Sequence, residues 1–381
     1  MAKPRAIFAE VSAPAAAAAA RPGEADRRKR RARRWVAAWL VALAALVAAM
    51  VLVGGMTRLT ESGLSMVSWR PVMGAVPPLT EADWARAFEN YQQTEQYRVL
   101  NSWMTVDDFK PIYWWEWSHR QFGRVIGLVW VVGLAAFLSL RMLPKGYLWP
   151  VLIPGLLGGA QAVVGMWMVE SGVAEGATRV SVAPYRLALH LSLAFLILGF
   201  LLWPAWRLGR EEWALLQARR RRPAGAVRWA GALVGLSFLQ LVLGALVAGA
   251  DAGRGYTDWP LMDGYVLPPE AFDLTPWWRN LVENAALVQF DHRIVGYALA
   301  LAALLVVWRA RRTRLKALSG WALAAAALVW AQMAWGVVTV LNAAPLWLAL
   351  GHQAGAILLW VVVLRARFEA AYPAEQSLRG R

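Results

Sequence analysis

Eight stretches of the chain are each about twenty residues long and almost wholly apolar: 35–53, 118–140, 147–169, 185–206, 229–250, 290–308, 318–341 and 346–364. A run of roughly 20 apolar residues is what an α-helix needs to cross a bilayer. Within lipid, a helix satisfies its backbone hydrogen bonds internally. The runs are continuous rather than alternating, which argues against a membrane β-barrel. The expected fold is an all-α polytopic membrane protein with eight transmembrane helices. A hydrophobic content of 59% over 381 residues points to the same class, because soluble domains are less apolar.

The formal net charge is +16. The excess sits in short connections between apolar runs, where it sets topology and meets anionic lipid, so no nucleic-acid partner is expected. Basic connections follow the second, fourth, sixth and eighth runs, the strongest being Arg219–Arg222. A further cluster, Arg27 to Arg34, abuts the first run. Together they place both termini in the cytoplasm and the two long loops on the periplasmic side of a bacterial inner membrane. Residues 1–34 are expected to be a disordered basic cytoplasmic tail. The long acid-containing tail is a poor fit to a cleaved signal peptide, and a mitochondrial transit peptide is a minor alternative that Glu10, Glu24 and Asp26 weaken.

The runs form two sets of four, 35–206 and 229–364, joined by a cytoplasmic linker over 207–228 and followed by a cytoplasmic tail over 365–381. Each set repeats one order: a span, a long outer loop (54–117, then 251–289), His-Arg entering a span, a basic turn, a span with an internal glutamine, and a span with one histidine. Gln161 with Gly165 matches Gln332 with Gly336. An even number of spans per set implies a parallel repeat. The two pseudo-symmetric four-helix bundles would then place equivalent residues at equal depth.

The chain has no cysteine, which excludes disulfides, thiolate metal sites and c-type haem attachment. It has four histidines, His119, His190, His292 and His352, one near the outer end of every second span. On this reading they lie in one layer, His119 paired with His190 and His292 with His352. Two imidazoles at matched depth on neighbouring helices suit the two faces of a haem. They under-fill a zinc shell. The competing reading is four interfacial histidines satisfied by backbone or water. Arg120, Arg186 and Arg293 stand at the outer boundary, where they can meet haem propionates or snorkel to lipid phosphate.

Glu116 lies three positions before His119, so on a continuous helix it shares that histidine's face. The same position before His292 holds the neutral Gln289. A carboxylate beside one haem only suggests that one site does chemistry, by stabilising positive charge or accepting a proton. The alternative is an interfacial glutamate paired with Arg120. Asp291 points off this face and is expected to cap the start of the sixth span.

These residues resemble the haem A synthase family, in its cysteine-free branch of alphaproteobacterial and mitochondrial type. The resemblance runs from Gly54-Gly55-Met56-Thr57-Arg58 through Trp114-Trp115-Glu116-Trp117 and His119-Arg120-Gln121-Phe122-Gly123-Arg124 to Tyr185-Arg186 and His190. It continues through Trp259-Pro260-Leu261-Met262-Asp263-Gly264, Glu283-Asn284, Gln289 to Arg293, and His352-Gln353. The stretch Tyr256-Thr257-Asp258-Trp259 departs from the family pattern, with Thr and Asp where Asn-Thr is expected. The resemblance implies conversion of haem O to haem A for cytochrome oxidase assembly. The C8 methyl would be hydroxylated twice, and the geminal diol would lose water to give a formyl group. It further implies that His119 and His190 flank haem O, that His292 and His352 ligate haem b, and that Glu116 is catalytic. A haem O synthase (protohaem farnesyltransferase) upstream, an unidentified electron acceptor and a homo-oligomer are compatible partners. The readings in other classes are a non-catalytic di-haem b electron-transfer cytochrome and a haem carrier.

Overall fold

The computed structural model describes residues 23–68, 73–174 and 176–374, and these are helical with no strand among them. Eight helices are long and apolar enough to cross a membrane. They are α1 (Glu24–Leu59), α2 (Val106–Ser139), α3 (Leu148–Val173), α4 (Pro184–Leu208), α5 (Ala224–Gly249), α6 (Ala285–Arg312), α7 (Lys316–Leu341) and α8 (Leu346–Ala371). The protein is a multi-pass helical membrane protein, as the apolar runs require.

Several helices overrun the boundaries that hydropathy alone suggests, because a helix ends where its caps are and not where its apolar residues stop. The basic cluster Arg27 to Arg34 is not a disordered tail: it lies within α1, which begins at Glu24 and has Asp26 in its first turn, where an acid suits the helix dipole. The rest of that expected tail, residues 1–22, lies outside the described residues. The first loop is shorter than 54–117, since α1 runs to Leu59 and α2 starts at Val106. Thr105 and Asp108 form a reciprocal capping box there, in a stretch that reads as polar loop. The linker over 207–228 contains a helix, Glu212–Arg221, and the tail after 365 stays helical to Ala371. Asp291 does not cap the sixth span. The helix begins two turns earlier at Ala285, and the Asn284 side chain accepts from the backbone N–H groups of Ala286 and Leu287.

In the first half, α4 packs against α1 and α3. In the second, α8 packs against α7 and α5. The halves meet chiefly along α4 and α5. At the end carrying the basic connections, Glu369 is only 2% exposed, and it accepts from Arg210 at 2.6 Å and from Arg365 at 2.6 Å. Deeper in the bundle, the Trp360 indole of α8 donates to the Phe195 carbonyl of α4 at 2.9 Å. At the long-loop end, Arg58 pairs with Asp251 at 2.7 Å and Arg179 with Glu283 at 2.8 Å. The halves are therefore joined at both ends as well as along their helices.

Each long loop folds back over its own half. In the first, a helix over Glu81–Gln92 joins the outer turns of α2 in an aromatic cluster of Phe88, Tyr91, Phe109 and Tyr113. In the second, Asp263 and Gly264 form a tight turn with φ of 53° and 82°, closed by the bridge between Met262 and Tyr265. The carboxylate of Asp258 accepts the Asp263 and Gly264 N–H groups, and these donors hold its pKa below the usual range. The departure from the family pattern at Asp258 thus has a local use.

Candidate functional site

Each of the four histidines sits on a different helix: His119 on α2, His190 on α4, His292 on α6 and His352 on α8. Each ring lies against a glycine of a neighbouring helix. A Cβ built on Gly54 of α1 would come within 2.8 Å of the His119 ring, and one on Gly165 of α3 within 2.8 Å of His190. The second half repeats this, with Gly244 of α5 at 3.1 Å from His292 and Gly336 of α7 at 3.2 Å from His352. Any larger side chain at these four glycines would displace an imidazole. His119 and His190 lie within Coulombic reach of one another, as do His292 and His352.

Glutamines fix three of the four histidine backbones. Gln161 donates to the His190 carbonyl at 2.9 Å, Gln332 to that of His352 at 2.8 Å, and Gln240 to that of His292 at 3.0 Å. The first-half counterpart of Gln240 is Met50: each stands four residues before the glycine that abuts the histidine, Gly244 or Gly54. A Cβ on Gly123 would touch Met50, and one on Gly296 would touch Gln240, which supports the same correspondence. His119 therefore has no glutamine of this kind.

The four rings fit a porphyrin held between imidazoles. Every Nδ1 is enclosed and has no hydrogen-bond partner. Each histidine is surrounded by protein yet keeps a partly accessible edge. This leaves Nε2 as the nitrogen able to reach a metal in His119, His190 and His352. In His292 it stands 3.3 Å from the Gln240 amide. A histidine satisfied by the backbone would show a main-chain partner on its enclosed nitrogen.

Glu116 and Gln289 occupy matching places and are both 3% exposed. Glu116 Oε2 accepts from the Ser65 hydroxyl at 2.8 Å and the Met66 N–H at 2.7 Å, while Oε1 accepts from Arg120 at 2.5 Å. Gln289 donates to the Tyr256 carbonyl at 3.1 Å and accepts from Arg293 at 3.3 Å. In both halves the residue three before the histidine is tied to the following arginine and to the overlying loop. One tie is ionic and the other neutral. The pairing with Arg120 that the alternative reading allows is present, but the carboxylate is buried rather than interfacial.

The three arginines are engaged with protein carbonyls. Arg120 donates to Met66 at 2.7 Å and Ser68 at 3.1 Å, and Arg293 to Leu261 at 2.8 Å and Asp258 at 3.0 Å. Arg186 donates to the Trp167 carbonyl at 2.5 Å and lies over that ring at 4.3 Å. Arg120 and Arg293 thus fasten each outer loop to the helix that bears the histidine.

A family model described as COX15-CtaA, cytochrome oxidase assembly protein, matches residues 37–364, which take in all four histidines. The chain belongs to this family. It is 53% identical over 381 residues to a heme A synthase of Ruegeria pomeroyi, covering 100% of both chains. It is 52% identical over 377 residues to a heme A synthase of Ruegeria sp. strain TM1040, covering 99% of each. A heme A synthase of Cereibacter sphaeroides strain KD131 is 50% identical over 388 residues, covering 99% of this chain and 98% of that one. The resemblance read from the motifs is borne out over the whole length.

Three contributors to the site in this family member escape sequence reasoning. Ser65 and Met66 hold Glu116 from a loop fifty residues upstream. Gln240 clamps His292 from α5. Gly54 and Gly244 cradle rings from helices that carry no histidine. Aligning the halves on their glycines exposes the last two, since Gly54 and Gly244 each close an apolar span at the same place.

Proposed function

We propose that this chain converts haem O to haem A, with haem O held between His119 and His190 and haem b between His292 and His352. The observation that carries the assignment of the halves is the contrast between Glu116 and Gln289, equally buried, three residues before one histidine of each pair. Relatives about 50% identical over the full length carry the name heme A synthase, which supports the reaction itself. On the positive-inside rule the basic ends of the helices are cytoplasmic, and both histidine pairs lie toward the periplasmic face.

In this reading the substrate methyl is oxidised to an alcohol and again to a geminal diol, each step adding the oxygen of one water, releasing two protons and passing two electrons to an external acceptor, and the diol loses water to leave the formyl group. When bound, haem b supplies a one-electron redox centre. The residues of the chain do the rest. His119 and His190 fix the plane of the substrate, and the four glycines fix the rings. A carboxylate has about four acceptor sites. Ser65, Met66 and Arg120 fill three of those of Glu116 and hold it stationary. A fixed negative charge of this kind stabilises positive charge developing at the oxidised carbon and receives the proton released there.

Purified protein should yield haem b together with haem A or a hydroxylated haem O on extraction. The Glu116→Ala variant should keep haem b and make no haem A. Haem b alone from the wild type, with added haem O unchanged, would support a di-haem electron-transfer cytochrome or a haem carrier instead.

A further inference from the structure

We infer that the first half carries a lateral slot between α2 and α3, just beneath the histidine layer, that receives the long isoprenoid tail of the porphyrin substrate. The inference rests on the proposed assignment of haem O to the first half, and it adds a site to it. Haem O bears a long apolar tail that haem b lacks, so a protein holding both needs room for a tail in one half only.

The two halves differ at the matching seam. In the second half α6 and α7 pack along their length through small residues. Ala300, Ala303 and Val307 of α6 share one buried cluster with Ala322, Ala326 and Val329 of α7. In the first half α2 and α3 barely touch. None of the apolar stretch of α2 is buried, against 33% of that of α6. Every membrane helix shows lipid one face, but here a whole seam has come apart.

Trp130 explains where and why. It stands eleven residues after His119, as Ala303 does after His292. Its indole donates to the Val151 carbonyl at 3.2 Å and lies so close over Gly155 that a Cβ there would overlap the ring. A tryptophan where the closed seam has alanine wedges the helices apart and pins them at one depth. Above the wedge lie Gly127 of α2 and Gly158 of α3, where the second half has the buried pair Ala300 and Val329. A Cβ built on either glycine would meet nothing within 4 Å. Gly127 is eight residues below His119, about 12 Å along the helix. The large exposed side chains of the two helices at this depth, Leu128 of α2 and Leu156 of α3 among them, are apolar. The open seam thus lies about two helical turns below His119 and opens toward lipid, which suits a prenyl chain.

The test fills the slot. Gly127→Leu and Gly158→Leu, singly and together, add side chains where there is room, and retained haem b in the second half reports that the fold is intact. Each protein, in its haem b-loaded form, is titrated with haem O and with tail-less protohaem, following the absorbance of the bis-histidine complex. The wild type should prefer haem O. The double variant should bind haem O about tenfold or more weakly and protohaem within about twofold of wild type, as expected when several buried methylenes lose their site. Unchanged haem O affinity, an equal loss for both haems, or no wild-type preference would each overturn the slot. The assignment of the halves fails separately, if haem O binding survives His119→Ala and is lost in His292→Ala.

Discussion

The two halves of this protein share one plan and differ at three places, all of them on or against the helix that carries the first histidine of each half. Glu116 stands against Gln289, Met50 against Gln240, and the open α2–α3 seam against the closed α6–α7 seam. The second half is neutral beside its histidine, clamped by a glutamine and sealed by alanines. The first is ionic, unclamped and open. A site that keeps its ligand and a site that must release one would differ in this sense. On the proposed assignment, the contrast shows how a repeated scaffold would be divided between holding and turnover by few substitutions, with the histidines kept in matching places.

The comparison can be broken most directly at Glu116. Glu116→Gln copies the second half into the first. It should lower haem A formation by about a hundredfold or more, the scale of losing a preorganised electrostatic group. Haem b content should be unchanged, and product formation near the wild-type rate would remove Glu116 from the chemistry. The glycine cradles come next. Gly54→Ala and Gly165→Ala place a Cβ 2.8 Å from an imidazole, whereas Gly244→Ala and Gly336→Ala leave 3.1 and 3.2 Å. Overpacking costs about 1–3 kcal/mol. The first-half variants should therefore weaken haem O binding more than the second-half variants weaken haem b binding, by titration of each site.

A smaller effect is expected at the clamp. Met50→Gln offers the His119 carbonyl an amide donor and should slow haem exchange in the first half, while Gln240→Met should speed haem b loss in the second. One hydrogen bond is worth about 1 kcal/mol, so each rate should change about fivefold. Stopped-flow transfer to a haem-scavenging protein reads both. The smallest effect concerns the loop over the second half. The Asp258 carboxylate is held below its usual range by the Asp263 and Gly264 N–H groups. Its contribution is present above the unfolded pKa of about 4 and is lost as pH falls through the lower folded value. Proteolysis of that loop should accelerate between about pH 5 and 3 in the wild type, and less steeply in Asp258→Asn.

Much of this arrangement is legible in the chain because it rests on rare residue types at constant offsets. Four histidines in a long apolar sequence, each near one end of alternate spans, leave few alternatives to paired ligands. Glu116 stands out for the same reason. The α2–α3 seam is not legible, because glycine, alanine and tryptophan all count as apolar and only packing separates a wedge from a filler. Helix ends are also obscured: the capping box of Thr105 and Asp108 lies in a polar stretch, and Asn284 caps where Asp291 is expected to. Gln240 is hidden because a lone glutamine in a span does not announce which backbone it will meet.

Two of the three donors that grip Glu116, the Ser65 hydroxyl and the Met66 amide, belong to the loop and not to α2. The loop and the carboxylate are therefore fastened together. Lifting that loop to admit or discharge a porphyrin would unfasten the carboxylate in the same motion, and settling it back would rearm the site. On the role proposed for Glu116, such an interlock would leave the carboxylate idle whenever the loop is raised.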